Sequence, residues 1–259
     1  MSLLLYPSLS DWWNSLHATQ VVADYNEDVQ RMDHARYEKM WQDAVAYNKS
    51  LVSRDAASAM TEEEMQAYQS LLNVGGTGIM GYIDIPSIGQ SLPIYHGTEE
   101  SVLQVAVGHI AWSSLPTGGE STHCVLSGHS GLPSAKLFTN LDRLEKGDTF
   151  NIRVLDKTLY YEVDQILVVE PEDVSALEIE EGKDLCTLVT CTPYGVNTHR
   201  LLVRGHRISE PSEEIRAVSD PDMVQMEPLI VVPVAVTILL LTISAVLLVS
   251  RRRKKTYRR

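Results

Sequence analysis

Eight short apolar runs, each closed off by turn-forming residues, occupy positions 79–85, 92–95, 103–110, 122–127, 149–155, 158–169, 185–191 and 200–208. They are rich in Val, Ile, Leu and Tyr, and Gly, Pro, Asn and Asp punctuate the stretches between them. Eight strands in one segment predict a mainly β fold. An open sheet of that size leaves two edges of unpaired N–H and C=O groups, so a closed or nearly closed barrel is the expected arrangement. Residues 135–144 add a short helix or turn to it.

The segments flanking this block have different patterns. Between residues 11 and 50, Trp12, Leu16, Val22, Tyr25, Val29, Met32, Tyr37, Met40, Trp41, Ala44 and Val45 recur at helical spacing with charges on the other faces. One long or two shorter amphipathic helices are expected there, with the aromatic residues as packing anchors. Thr61-Glu62-Glu63-Glu64 reads as a capping box that opens a short helix to about Leu72. Gly75-Gly76-Thr77-Gly78 then marks the boundary between an N-terminal helical region, 1–77, and the strand-rich domain, 78–208.

Beyond the domain, residues 209–228 are acidic and poor in large apolar groups, the composition of a tether. Residues 229–249 carry no charge. At 1.5 Å per residue such a stretch spans roughly 30 Å, the thickness of a bilayer core. A transmembrane helix is therefore expected at 229–250, followed by a basic tail at 251–259. The excess of Lys and Arg beside a span marks its cytoplasmic side, which puts the globular domain outside. Leu3-Leu4-Leu5 is apolar but far too short to span.

The formal net charge is −12, and the tail holds seven of the positive charges. Residues 1–250 keep 15 basic against 34 acidic side chains, a net of −19. That balance excludes nucleic acid as a partner of the main body. The three cysteines, Cys124, Cys186 and Cys191, form neither a regular disulfide framework nor a zinc-site spacing. No metal and no cofactor are expected.

Chemistry is concentrated in Thr187–Arg200, which reads TLVTCTPYGVNTHR. A β-branched run ends at Cys191, a loop with Pro193, Gly195 and Asn197 follows, and a second run starts at Arg200. Folded as an antiparallel hairpin about the loop midpoint, the two runs put Cys191 directly opposite Arg200. Facing residues in such a pair have Cβ atoms roughly 4.5–5.5 Å apart. A guanidinium at that distance stabilises a thiolate, or the oxyanion formed when a thiolate attacks a carbonyl. Cys124 and Cys186 sit inside apolar runs and are expected to be buried and inert. Proton transfer needs a histidine. Of the eight histidines, His129 stands out because Gly128 and Gly131 flank it after a strand-like run, which allows close approach.

These motifs resemble those of the sortases, the cysteine transpeptidases of Gram-positive surfaces, and within them the pilin-polymerising class C. Four ordered blocks carry the resemblance: Gly81–Pro86, Leu92–Thr98, Gly128–Phe138 and Cys191–Arg204. The resemblance implies a sortase-type closed eight-stranded β-barrel with N-terminal helices and a C-terminal transmembrane helix, and His129, Cys191 and Arg200 as catalytic residues. It further implies cleavage of LPxTG-like sorting signals of pilin or surface-protein substrates through a thioester on Cys191. The acceptor is then a pilin lysine in polymerisation or a cell-wall amine in wall anchoring, and the membrane lipid holds the span. A catalytically inactive pilus-assembly or binding protein is the reading from outside the enzymes. In one respect the chain departs from the class. Relatives carry an Asp-Pro-aromatic lid between helices and barrel, whereas Asp55 is followed by Ala56-Ala57-Ser58-Ala59. Weak or absent lid control is expected.

Overall fold

The computed structural model of the protein describes residues 2–52, 60–132 and 135–210. Three helices lead the chain: α1 (Ser2–Arg31), α2 (His34–Leu51) and α3 (Glu62–Ser70). Strands β1 (Ile79–Ile85), β2 (Gln90–His96), β3 (Val107–His109) and β4 (Thr122–Ser127) follow, with a one-turn helix, α4 (Glu100–Leu103), between β2 and β3. Then come β5 (Thr149–Val154), β6 (Lys157–Val169), β7 (Asp184–Thr192) and β8 (His199–Ile208). The strands close into a barrel in the order β1-β2-β3-β4-β7-β8-β6-β5. The eight-stranded barrel with N-terminal helices expected from the sequence is therefore present.

The chain divides into two units at residues 221 and 222, and the second lies outside the described residues, as do the tether from 211, the span expected at 229–250 and the tail at 251–259. The lid-equivalent segment 53–59, Pro133, Ser134 and the side chain of Trp12 lie outside them too. Among the described residues no helix is long and apolar enough to cross a membrane.

The run at 103–110 departs from expectation. Only Val107–His109 forms a strand, while Leu103 ends α4 and Val105 is exposed. The cause is topological. β3 pairs with β2 in parallel, Ile94 opposite Val107. Parallel neighbours cannot be joined by a tight turn, so the first part of the apolar run is used in the crossover.

Local chemistry sets the helix starts. Asp33 breaks the first helical stretch in two and caps α2, its carboxylate accepting from the Arg36 N–H at 2.9 Å. The capping box at α3 is present: Thr61 Oγ1 accepts from the Glu64 N–H at 3.2 Å, and Glu64 Oε2 accepts from the Thr61 N–H at 2.7 Å. Such a cap contributes about 0.5–2 kcal/mol.

The apolar faces of these helices pack on the barrel. Tyr25 and Ala44 are buried, and Val22, Val29, Met32, Tyr37, Met40 and Trp41 pack against the core. Leu16, expected on the same face, is exposed instead. Polar bonds fix the docking. Tyr25 Oη donates to Met80 O at 3.0 Å and accepts from the Leu155 N–H at 2.7 Å. The buried Asn48 amide donates to Leu115 O at 2.9 Å and Thr117 Oγ1 at 2.8 Å, and accepts from the Leu115 N–H at 2.7 Å. A buried group left without such a partner costs about 1–3 kcal/mol, so α2 has a defined seat on the barrel.

Inside the barrel, alternate residues of each strand interdigitate. Ile83, Ile85, Ile94, Leu126, Leu188 and Val203 are fully buried in one cluster, where Phe150 stacks on Tyr161 with ring centroids 5.5 Å apart. A smaller cluster of Val125, Leu177, Val189 and Leu202 lies apart from it. Side chains alternate between the faces of a strand. Leu188 and Val189 are neighbours in β7 yet belong to different clusters, so the smaller cluster covers the outer face of β4, β7 and β8.

Candidate active site

Cys191 and Arg200 are directly paired across β7 and β8. They lie on the outer face, Cys191 two residues past Val189 and Arg200 two residues before Leu202, and Val189 is itself paired with Leu202. The outer apolar cluster thus forms the floor leading up to them. The hairpin follows from the loop Pro193–Thr198, whose turn residues end both strands at the length required for this register.

His129 reaches the same level by a different route. β4 and β7 run parallel, with Ser127 opposite Val189. The ladder continues one residue beyond the strand: Gly128 N–H donates to Val189 O at 3.0 Å, and Thr190 Oγ1 donates to Gly128 O at 2.7 Å. Counted two positions on from Ser127 and Val189, His129 is level with Cys191. The ends of three adjacent strands therefore carry an imidazole, a thiol and a guanidinium in one row.

Two glycines make this arrangement possible. A Cβ on Gly128 would sit 2.8 Å from the ring of the fully buried Phe138, so no other residue fits there without displacing that ring. Gly131 has φ +82°, and a Cβ there would lie 2.6 Å from the Tyr194 ring. It lets the loop after β4 lie against the loop after β7. Phe138 N–H closes the first loop onto His129 O at 3.1 Å.

Each of the three side chains is partly open to solvent. Cys191 is half-buried, unlike Cys124 and Cys186, which are buried as expected. His129 Nε2 lies 3.5 Å from Glu100 Oε2, and the Glu100 carboxylate is exposed. The Gln104 hydrogen bond, followed by the His129 interaction, lowers the Glu100 pKa. Arg200 Nη1 donates to His199 O at 3.1 Å and Asn197 O at 3.3 Å, which holds the guanidinium over its own loop. Among the described residues its Nε and Nη2 have no partner. Arg204, four residues on, is committed elsewhere, to Asp164 at 2.9 and 3.0 Å and Glu180 at 2.7 Å.

Glu100 and Tyr194 were not singled out in the sequence. Glu100 lies in an unremarkable acidic pair after a turn, and Tyr194 in a loop, so neither has a local signal. His96, His109 and His123 are core residues bonded to main-chain carbonyls. Among the described residues no group of three or more His, Cys, Asp or Glu side chains is placed to hold a metal ion. A thiol between a proton-transfer group and a fixed cation has the components of nucleophilic acyl transfer.

Comparisons with known proteins agree with that chemistry. A family model described as the sortase domain matches residues 83–208. The crystal structure of sortase C1 from Streptococcus agalactiae is 51% identical and superposes with a TM-score of 0.72, covering 74% of this chain and 100% of that one. Sortase C from Streptococcus pneumoniae, whose structure was described for its catalysis and pilin substrate specificity, is 43% identical with a TM-score of 0.66, covering 74% and 98%. Sortase D of Bacillus subtilis is 31% identical over 132 residues, 50% of this chain and 64% of that protein's length.

Proposed function

The chain belongs to the sortase family of cysteine transpeptidases, and on that premise we propose that it cleaves LPxTG-like sorting signals and transfers the acyl group to a pilin lysine. Cys191, as thiolate, attacks the threonine carbonyl of the signal, and the C–N bond to the following glycine breaks. His129 gives its proton to the departing amine, leaving a thioester on Cys191. The lysine amine then attacks the thioester, His129 takes its proton, and the Cys191 thiolate departs as the new amide forms. Arg200 stabilises the oxyanion in both halves. The observation that carries this reading is the direct pairing of Cys191 with Arg200 at a strand end level with His129. The likeness to the pneumococcal enzyme favours a pilin acceptor over a cell-wall amine.

In this reading residues 78–208 are the catalytic domain, held outside the cell by a span at 229–250 with the basic tail at 251–259 inside. Confining enzyme and membrane-held substrate to one surface raises their effective concentration. Protease added to intact protoplasts is expected to remove the domain and spare an epitope fused after Arg259. Loss of the epitope would reverse the orientation.

Mass spectrometry tests the chemistry. Mixed with an LPxTG peptide, the protein is expected to carry a thioester adduct on Cys191 that a pilin lysine peptide discharges as an amide. An adduct discharged only by a cell-wall-type amine would point to wall anchoring. The absence of any adduct would point to a catalytically inactive pilus-assembly or binding protein.

A further inference from the structure

Two cysteines are left over by this mechanism, and the fold brings them together. In the parallel ladder of β4 and β7, Cys124 stands directly opposite Cys186. Neighbouring strands lie about 4.7–4.9 Å apart, within the roughly 4.4–6.8 Å Cα separation that a disulfide bridges. Both residues belong to the interior cluster, 2% and 0% exposed, and both are free thiols. Both side chains belong to the interior face of neighbouring strands, so the two thiols face each other across the ladder. Burial pushes Cys186 far up, and the influence of Cys124 adds to that. Burial opposes ionisation of Cys124 as well, but in the closed barrel the influence of Cys186 and His109 outweighs it and lowers the Cys124 pKa. His109 is itself held by Tyr68 Oη at 2.9 Å and Ser114 O at 2.8 Å.

We propose that Cys124 and Cys186 form an intramolecular disulfide that staples β4 to β7 inside the barrel. The oxidant is a low-molecular-weight disulfide, RSSR. The Cys124 thiolate attacks one of its sulfurs, the S–S bond breaks, and the released RS⁻ takes up a proton as RSH. The Cys186 thiolate then displaces the second RS⁻ from the mixed disulfide, which leaves the Cys124–Cys186 bond and a second RSH. Two protein thiols are oxidised and one small disulfide is reduced. Because both sulfurs are buried in the finished barrel, the exchange takes place during folding, once β4 and β7 have paired and before the barrel closes.

The position of the bond gives it a use. It lies five residues before His129 on β4 and five before Cys191 on β7. Parallel pairs are slightly less stable per residue than antiparallel ones, and β4 and β7 are connected only through the long excursion that contains β5 and β6. A covalent link fixes their relative register and so the level of His129 against Cys191. Cys191 itself stays out of the exchange. It belongs to the outer face of β7, whereas Cys186 points inward with Leu188.

The full-length chain in detergent, unfolded, reduced and refolded with oxidised glutathione in an excess of reduced glutathione, which keeps the unpaired and accessible Cys191 as a thiol, tests this independently of catalysis. Because the oxidant is supplied, the outcome does not depend on the proposed location or on transpeptidase activity. After denaturation, iodoacetamide is expected to label Cys191 alone. The intact mass before labelling should be lower by two hydrogens, and a proteolytic digest should link the peptides of Cys124 and Cys186. Dithiothreitol is expected to lower the Tm of this material by about 10 °C and to leave the Tm of Cys124→Ala and Cys186→Ala unchanged. Labelling of all three cysteines, a cross-link that includes Cys191, or glutathione retained on Cys124 or Cys186 would overturn the proposal. The mass and labelling results on the wild-type chain decide the matter even if an alanine variant fails to fold.

Discussion

Cys191→Ala is expected to lower transpeptidation by at least about 10⁴-fold and to remove the thioester adduct altogether. Alanine leaves no nucleophile at the strand end, and His129 and Arg200 have nothing else there to activate. The variant is expected to fold with an unchanged Tm, because Cys191 is half-buried at the rim and outside the interior cluster. Cys124→Ala and Cys186→Ala are expected to behave in the opposite way. Their thiols are buried in the core, so stability moves while the thioester still forms. Steady-state kinetics beside thermal unfolding separates the two patterns. Turnover retained in Cys191→Ala would remove the basis of the mechanism.

Arg200→Lys keeps the charge and is expected nonetheless to lose about 10²–10³ in kcat, the loss that follows removal of one oxyanion donor. The guanidinium uses Nη1 to hold the His199 and Asn197 carbonyls. Its planar fork has further donors at fixed angles, whereas an ammonium is a point charge on a flexible stem. Lysine at this position can hold the loop or face the Cys191 row, but not both in one geometry. The strand pairs Cys191 with Arg200 and Val169 with Arg200 involve the main chain and survive the change. Single-turnover acylation measures the effect directly. A lysine variant as fast as wild type would reduce Arg200 to a diffuse electrostatic element.

The pairing of Cys191 with Arg200 was legible because it is local. Eight residues separate them, and the turn residues Pro193, Gly195 and Asn197 leave one midpoint about which the two runs can fold. The strand run of the barrel was legible for a related reason: each apolar run carries its own stop signals. The run at 103–110 was misread because a short apolar stretch has no periodicity that separates strand from helix. What resolved it was the parallel neighbour β2, far from anything the run itself contains. The helix pair was visible from its apolar spacing, and the break at Asp33 is a local cap, but the exposure of Leu16 depends on where the barrel surface lies. The expected weak lid concerned residues 53–59, which lie outside those described.

His129 marks the boundary between the two kinds of information. From the sequence it was one histidine among eight, set apart by its glycines and by the resemblance. Its level against Cys191 depends on β4 lying parallel to β7, a pairing of strands more than fifty residues apart that leaves no trace in either segment. The same pairing sets Cys124 against Cys186, two residues that read singly as inert. The sequence by itself determined most of the strands, the capping box of α3 and the hairpin that sets Cys191 opposite Arg200. Only the tertiary structure decided which distant strands are neighbours and which thiols face each other. Closing a long loop costs entropy that no local propensity repays, so that choice is made by the apolar faces the barrel must bury together.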